Sequence, residues 1–159
     1  MLPTLRTLRL LPFVVFLAGC VEGDLVLSPD NRWAEARAQW ERRGPTQYTY
    51  EVRSICFCFA NVNQWHRVEV RNGAVVAVTQ LEGPTFSGSV PLSAWPTVPQ
   101  LFERARPVVG NSVVVELITE FDPALGYPTR ITQRCSREVA DCDSETLARN
   151  LRVVTGSAP

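Results

Sequence analysis

Val68-Glu69-Val70-Arg71-Asn72-Gly73-Ala74-Val75-Val76 decides the fold. Apolar and charged residues alternate along 68–71, as in a strand with one buried face, and apolar residues resume with Ala74-Val75-Val76 after two intervening residues. Asn-Gly is the strongest short hairpin signal, because both turn positions tolerate a positive φ. A two-residue loop also sets the pairing: Arg71 opposes Ala74, Val70 opposes Val75, Val68 opposes Ala77 and His66 opposes Thr79. Strands are therefore expected over 65–71 and 74–81. Val68, Val70, Val75 and Ala77 form the buried face; Arg67, Glu69 and Arg71 line the wetter one.

Upstream, residues 48–59 keep the period of two. Tyr48, Tyr50, Val52, Cys56 and Cys58 share one face, and Thr49, Glu51, Arg53, Ile55 and Phe57 the other. Before them the period is helical. Ser28 suits a cap, Pro29 the first turn, and Asp30 the positive end of the helix dipole. Trp33, Ala36, Gln39 and Trp40 then recur on one stripe until Gly44-Pro45 stops the helix. The two tryptophans read as core packing against a sheet in preference to a ligand platform.

Downstream, residues 82–96 hold three prolines and two glycines. A break of that length is a functional loop or a crossover spacer, and Phe86 and Trp95 are its binding candidates. Thr97 then caps a short helix, with Gln100 placed to complete a capping box. Val98, Leu101, Phe102 and Ala105 supply its apolar side, and Pro107 ends it. A strand over 112–120 turns through Asp122-Pro123 and Gly126 into another over 127–134, and a last strand covers 151–155. The sum is an α+β fold: an antiparallel sheet of about five or six strands with two helices packed on one face, in a single domain over 30–159.

The N-terminus supplies an address. Arg6 and Arg9 precede nine uncharged residues, 10–18, and Leu17-Ala18-Gly19-Cys20 matches the pattern cut by the bacterial lipoprotein signal peptidase. Nine residues are too few to cross a hydrocarbon core of about 30 Å, which takes about 20. Residues 1–19 are expected to be a signal peptide and Cys20 the lipidated residue of a tether over 20–29. The partner is then the membrane, through two or three acyl chains, enough for stable anchoring. Val21 in place of an aspartate points to the outer membrane, facing the periplasm of a double-membrane cell. All sixteen basic residues are arginine. Without the leader, fourteen arginines face sixteen acidic residues, a net charge of −2. With no basic face, phosphate loop or RNA-binding aromatic motif, nucleic acid is not an expected partner.

Several pieces together resemble a known family. They are Tyr48-Thr49-Tyr50 leading to Cys56-Phe57-Cys58, the hairpin segment 68–76, Thr97 with Leu101-Phe102, and Phe121-Asp122-Pro123 with Gly126-Tyr127-Pro128-Thr129-Arg130-Ile131. Their order and spacing are similar to an uncharacterised family of exported bacterial lipoproteins, domain of unknown function 6174, over most of 48–131. The resemblance implies an exported domain and no known activity, so it carries over no catalytic residue. Cys135 and Cys142 lie outside its pattern.

Cysteine is the only residue type gathered in a way that suggests chemistry. With Cys20 lipidated, four remain in an oxidising compartment. Local pairing, cross-pairing of the two segments, and reduced or metal-bound sulfur all stay open. Residues two apart in a strand are separated by roughly 6.6 Å at Cα, near the upper limit for a disulfide. A Cys56–Cys58 bridge therefore needs a bend and is expected to be easily reduced, whereas Cys135 and Cys142 can pair across a turn. Cys-x-Cys with His66 could hold Cu(I) or zinc, yet it fits no standard zinc spacing, and neither a metal nor a cofactor is expected. Asp141, Asp143 and Glu145 alternate like the start of a calcium loop, but Thr146 and Arg152 stand where glycine and glutamate are required. They read as a solvated acidic turn. One histidine, no Gly-x-Ser-x-Gly and no His-Glu-x-x-His leave no hydrolase constellation.

The sequence thus points to a non-enzymatic, lipid-anchored envelope module. It would bind a partner protein or small ligand through its sheet face or the 82–96 segment. A thiol-redox or copper-handling protein using Cys56 and Cys58 is one alternative. A small α+β inhibitor-like module acting on an envelope hydrolase is another.

Overall fold

Helix α1, Pro29–Arg43, begins where the side-chain chemistry says it should. Ser28 Oγ accepts the Asn31 N–H at 3.3 Å, and Asp30 sits in the first turn. The computed structural model describes residues 28–57, 60–84, 90–108 and 110–154. The expected signal peptide, Cys20, most of the tether, Cys58 and Phe86 lie outside the described residues. Along α1 the tryptophan stripe is core: Ala36 and Trp40 are buried, and Trp40 packs edge-on against Tyr48 and Tyr127. Trp33 donates its indole N–H to the Phe102 carbonyl at 3.0 Å.

Six strands follow: β1 (Tyr48–Cys56), β2 (His66–Arg71), β3 (Ala74–Gln80), β4 (Val114–Phe121), β5 (Pro128–Cys135) and β6 (Ser144–Val153). Helix α2, Val98–Arg104, lies between β3 and β4. All the pairings are antiparallel, in the order β3-β2-β1-β6-β5-β4. This is an α+β arrangement with a six-stranded sheet and two helices. No described helix is long and apolar enough to cross a membrane.

The capping box at α2 is present in both directions. Thr97 N–H donates to Gln100 Oε1 at 2.7 Å, and Gln100 N–H to Thr97 Oγ1 at 3.4 Å. Two tyrosines of β1 fasten the same end. Tyr48 Oη accepts the Val98 N–H at 2.9 Å, and the Tyr50 hydroxyl donates to the Pro96 carbonyl. Burial pushes the Tyr48 phenol up to about 12, with the Val98 hydrogen bond opposing it, and raises Tyr50 further. Ala36 and Trp40 of α1 and Val98, Leu101 and Phe102 of α2 join one core cluster with Tyr48, Tyr50, Val52, Val68, Val70, Ile131 and Ala148.

Two sequence expectations are corrected. The hairpin begins as expected, with Arg71 opposite Ala74 and Val70 opposite Val75. Beyond that the register shifts, pairing Glu69 with Ala77, Val68 with Val78, Arg67 with Thr79 and His66 with Gln80. One extra residue on the edge strand forms a bulge, so Val78 packs against the core while Val76 and Ala77 are exposed. The last strand, expected over 151–155, starts at Ser144 and lies in the middle of the sheet, between β1 and β5.

Candidate functional site

Tyr50 and Val52 are core residues, so Glu51 between them points from the other face of the sheet. It is nonetheless only 8 % exposed, an unusual place for a carboxylate. Three groups satisfy it. Arg67, its cross-strand neighbour on β2, donates through Nη2 to Oε1 at 3.3 Å, and Arg149, its neighbour on β6, donates through Nε to Oε2 at 2.9 Å. Asn150 Nδ2 adds a third bond to Oε2 at 2.9 Å. Burial opposes ionisation of Glu51, but the hydrogen bonds from Asn150, Arg149 and Arg67 outweigh it and hold the pKa below the usual glutamate value.

Consecutive residues of a regular strand point to opposite faces, so Arg149 and Asn150 should not share a carboxylate. A bulge makes it possible. Between Thr49 and Glu51 on β1 the pairing jumps from Arg152 to Arg149 on β6, and Asn150 takes φ 54°. Asparagine tolerates that left-handed geometry better than most residues. The bulge brings Asn150 round to Glu51 and returns Leu151 to the core side, where it packs against the buried cluster.

Beside Glu51 lies Trp65, 8 % exposed although it stands just outside β2. The Arg149 guanidinium carbon sits 3.8 Å from its ring centroid and that of Arg53 4.9 Å, both within cation–π range. Arg53 Nε is buried and has no hydrogen-bond partner among the described residues. On the other side of Glu51 a hollow of about 310 Å³ is lined by Thr49, Glu51, Arg67, Asn150 and Arg152. Larger hollows exist, including one of about 520 Å³ against Trp40, Tyr48 and Phe102. There the charged lining residues Arg37 and Glu41 pair with each other at 3.0 Å, which leaves little unbalanced charge for a ligand.

Residues singled out in the sequence fall elsewhere. Cys135 and Cys142 are joined, with Cα atoms 5.8 Å apart, in the connection from β5 to β6. Cys56 is also disulfide-bonded and stands opposite Ser144 at the end of β1. Trp95 is buried at 6 % exposure and packs at a tilt against His66 with centroids 4.4 Å apart, so it faces the core and not solvent. His66 itself lies 2.9 Å from the Gln64 carbonyl through Nδ1. Among the described residues no three His, Cys, Asp or Glu side chains gather as a metal site would require. Asp143 accepts the Cys135 N–H at 2.8 Å and pairs with Arg134 at 3.1 Å, while Glu145 belongs to β6 near Arg130. The Glu51 arrangement was missed because Arg149 and Asn150 are 98 and 99 residues from Glu51 and even Arg67 is 16 away, on another strand. The one local hint was an asparagine after an arginine inside an otherwise strand-like stretch.

The fold and the site together define an α+β domain whose sheet carries a buried, arginine-held carboxylate beside an arginine-flanked tryptophan. A family model described as "Family of unknown function (DUF6174)" matches residues 32–153, and the chain belongs to that family. No curated protein and no solved structure matches it.

Proposed function

We propose that the chain is an exported lipoprotein held in the cell envelope by acyl chains on Cys20, with its α+β domain a non-enzymatic binding module in the periplasm. In this reading residues 1–19 are removed, 20–29 form the tether, and 30–159 form one domain. Both helices cover one face of the sheet and leave the other to an envelope ligand. The leader motif at 17–20 supports export, as does the Cys135–Cys142 disulfide, since such bonds persist in oxidising compartments.

The observation that carries the binding role is the Glu51 arrangement. A surface kept only for solubility has no need to bury a carboxylate under three donors and to hold two guanidiniums against a tryptophan. Residues of that kind, fixed in place before a ligand arrives, reduce the ordering cost of binding. The test has two arms. Labelling with a palmitate analogue should mark the protein and be lost in Cys20→Ala. A photo-crosslinking residue at Thr79 or Ile118, on the face of Arg67 and Thr132, should capture an envelope component that the same group at Glu35 on α1 does not. Equal capture from all three positions, or none, would overturn the sheet-face reading.

A further inference from the structure

The hollow beside Glu51 has a charge that does not close. Arg67 and Arg152 line it with the Glu51 carboxylate, and Arg149 holds that carboxylate from the Trp65 side. Glu69, opposite Thr49, is paired with Arg71, so the three remaining positive charges against one negative leave +2 across the cluster. Arg67 and Arg149 are committed to Glu51, whereas Arg152 makes no ion pair among the described residues. Beyond Arg149 stands Arg53, fixed over Trp65 with its Nε buried and unpartnered. Thr49, opposite Arg152 in the ladder, adds a hydroxyl to the hollow. Ion pairing holds Arg67 and Arg149, and stacking holds Arg149 and Arg53, with N–H groups to spare, while the exposed Arg152 keeps its whole guanidinium fork for an oxyanion.

We infer that this hollow is a binding site for a phosphomonoester group, with Arg152 and Arg67 as the principal ligands and Thr49 as a hydroxyl donor. The inference rests on the sheet-face reading and names the chemistry that face takes. Charge selects the group. A phosphomonoester carries about −1.5 to −2 at neutral pH and balances the +2, whereas a carboxylate balances half of it. A volume of about 310 Å³ accommodates the phosphoryl group and the first atoms of whatever bears it.

The experiment uses the full mature lipoprotein in detergent micelles. Glycerol 3-phosphate is titrated in by calorimetry at low salt, against acetate, for wild type and Arg152→Gln. Micelles doped with phosphatidic acid form a second arm. Arg152 is exposed and outside the core, and an unchanged melting temperature confirms that the variant is folded. Saturable binding of glycerol 3-phosphate, at least tenfold weaker in Arg152→Gln and at least tenfold tighter than acetate, supports the site for a free phosphomonoester. Arg152-dependent binding in the doped micelles alone supports it for a lipid headgroup. Acetate binding as tightly, no saturable binding in either arm, or binding untouched by Arg152→Gln overturns it. Crosslinks from Thr79 and Ile118 that persist in that case remove the phosphate inference alone; their absence removes the reading beneath it as well.

Discussion

Glu51 shows how one residue can hold a sheet face together and make it sensitive to acid. Its folded pKa is depressed, so the stabilisation is present above the unfolded value, about 4.3, and is lost as pH falls through the lower native one. The donors Arg67 and Arg149 are half exposed, which weakens each contact by solvent screening. Glu51→Gln should therefore destabilise the protein by only about 1–2 kcal/mol at neutral pH, below the value for a fully buried charge-assisted network. Asp143 is also depressed, first by the Cys135 backbone N–H and then by Arg134, so acid stability has a second source that both proteins share. The difference between their unfolding free energies isolates Glu51: it should shrink from pH 6 to pH 3 in denaturant titrations. A constant gap would mean that the carboxylate charge contributes nothing to the fold.

At the scale of elements, turns and bulges decide what the strands display. The β4–β5 turn is built on Asp122, whose Oδ1 accepts the Ala124 and Leu125 N–H groups at 3.0 and 2.7 Å. Gly126 follows at φ 82°, and a Cβ there would run into the Ala36 carbonyl of α1. Gly73, at φ 77°, has open space around the same position. An alanine at either position meets the left-handed backbone penalty of about 1–2 kcal/mol, but only at Gly126 does its Cβ also clash with a backbone atom. Gly73→Ala should therefore lower stability by about 1–2 kcal/mol and Gly126→Ala by about 3 kcal/mol or more, read from thermal or urea unfolding. Equal losses would show that the close approach of the turn to α1 is easily relieved. These same elements mark how far the sequence was legible. The Asn72-Gly73 turn, the Ser28 cap and the Thr97–Gln100 box could be read because each is settled within about four residues. The bulges beside Val70 and at Asn150 could not, because a pairing strand decides them, and a slip of one residue moved Ala77 out of the core and Val78 towards it.

For the whole molecule the telling feature is that the last strand in the chain is central in the sheet. β6 pairs with β1 from Tyr48 to Cys56 and with β5 from Arg130 to Gln133, and so joins the β1–β2–β3 half to the β4–β5 pair. Strand order of this kind was not readable from local pattern, since it depends on which buried faces meet at long range. It also explains where the Cys135–Cys142 disulfide acts. The bond closes the short connection that delivers β6 to its place beside β5, and restricting so short a loop in the unfolded chain is worth about 2–3 kcal/mol in the chain-entropy account. A reductant would also attack the disulfide of Cys56, so the double variant Cys135→Ser/Cys142→Ser is the cleaner test. It should lose about 2–3 kcal/mol in guanidinium unfolding. Because β6 is the bridge, the loss should not be local. Amide hydrogen exchange should speed by a similar factor in β1 and in β5, as expected for one cooperative unit. Faster exchange confined to β4 and β5, with β1 unchanged, would show instead that the two halves of the sheet open independently.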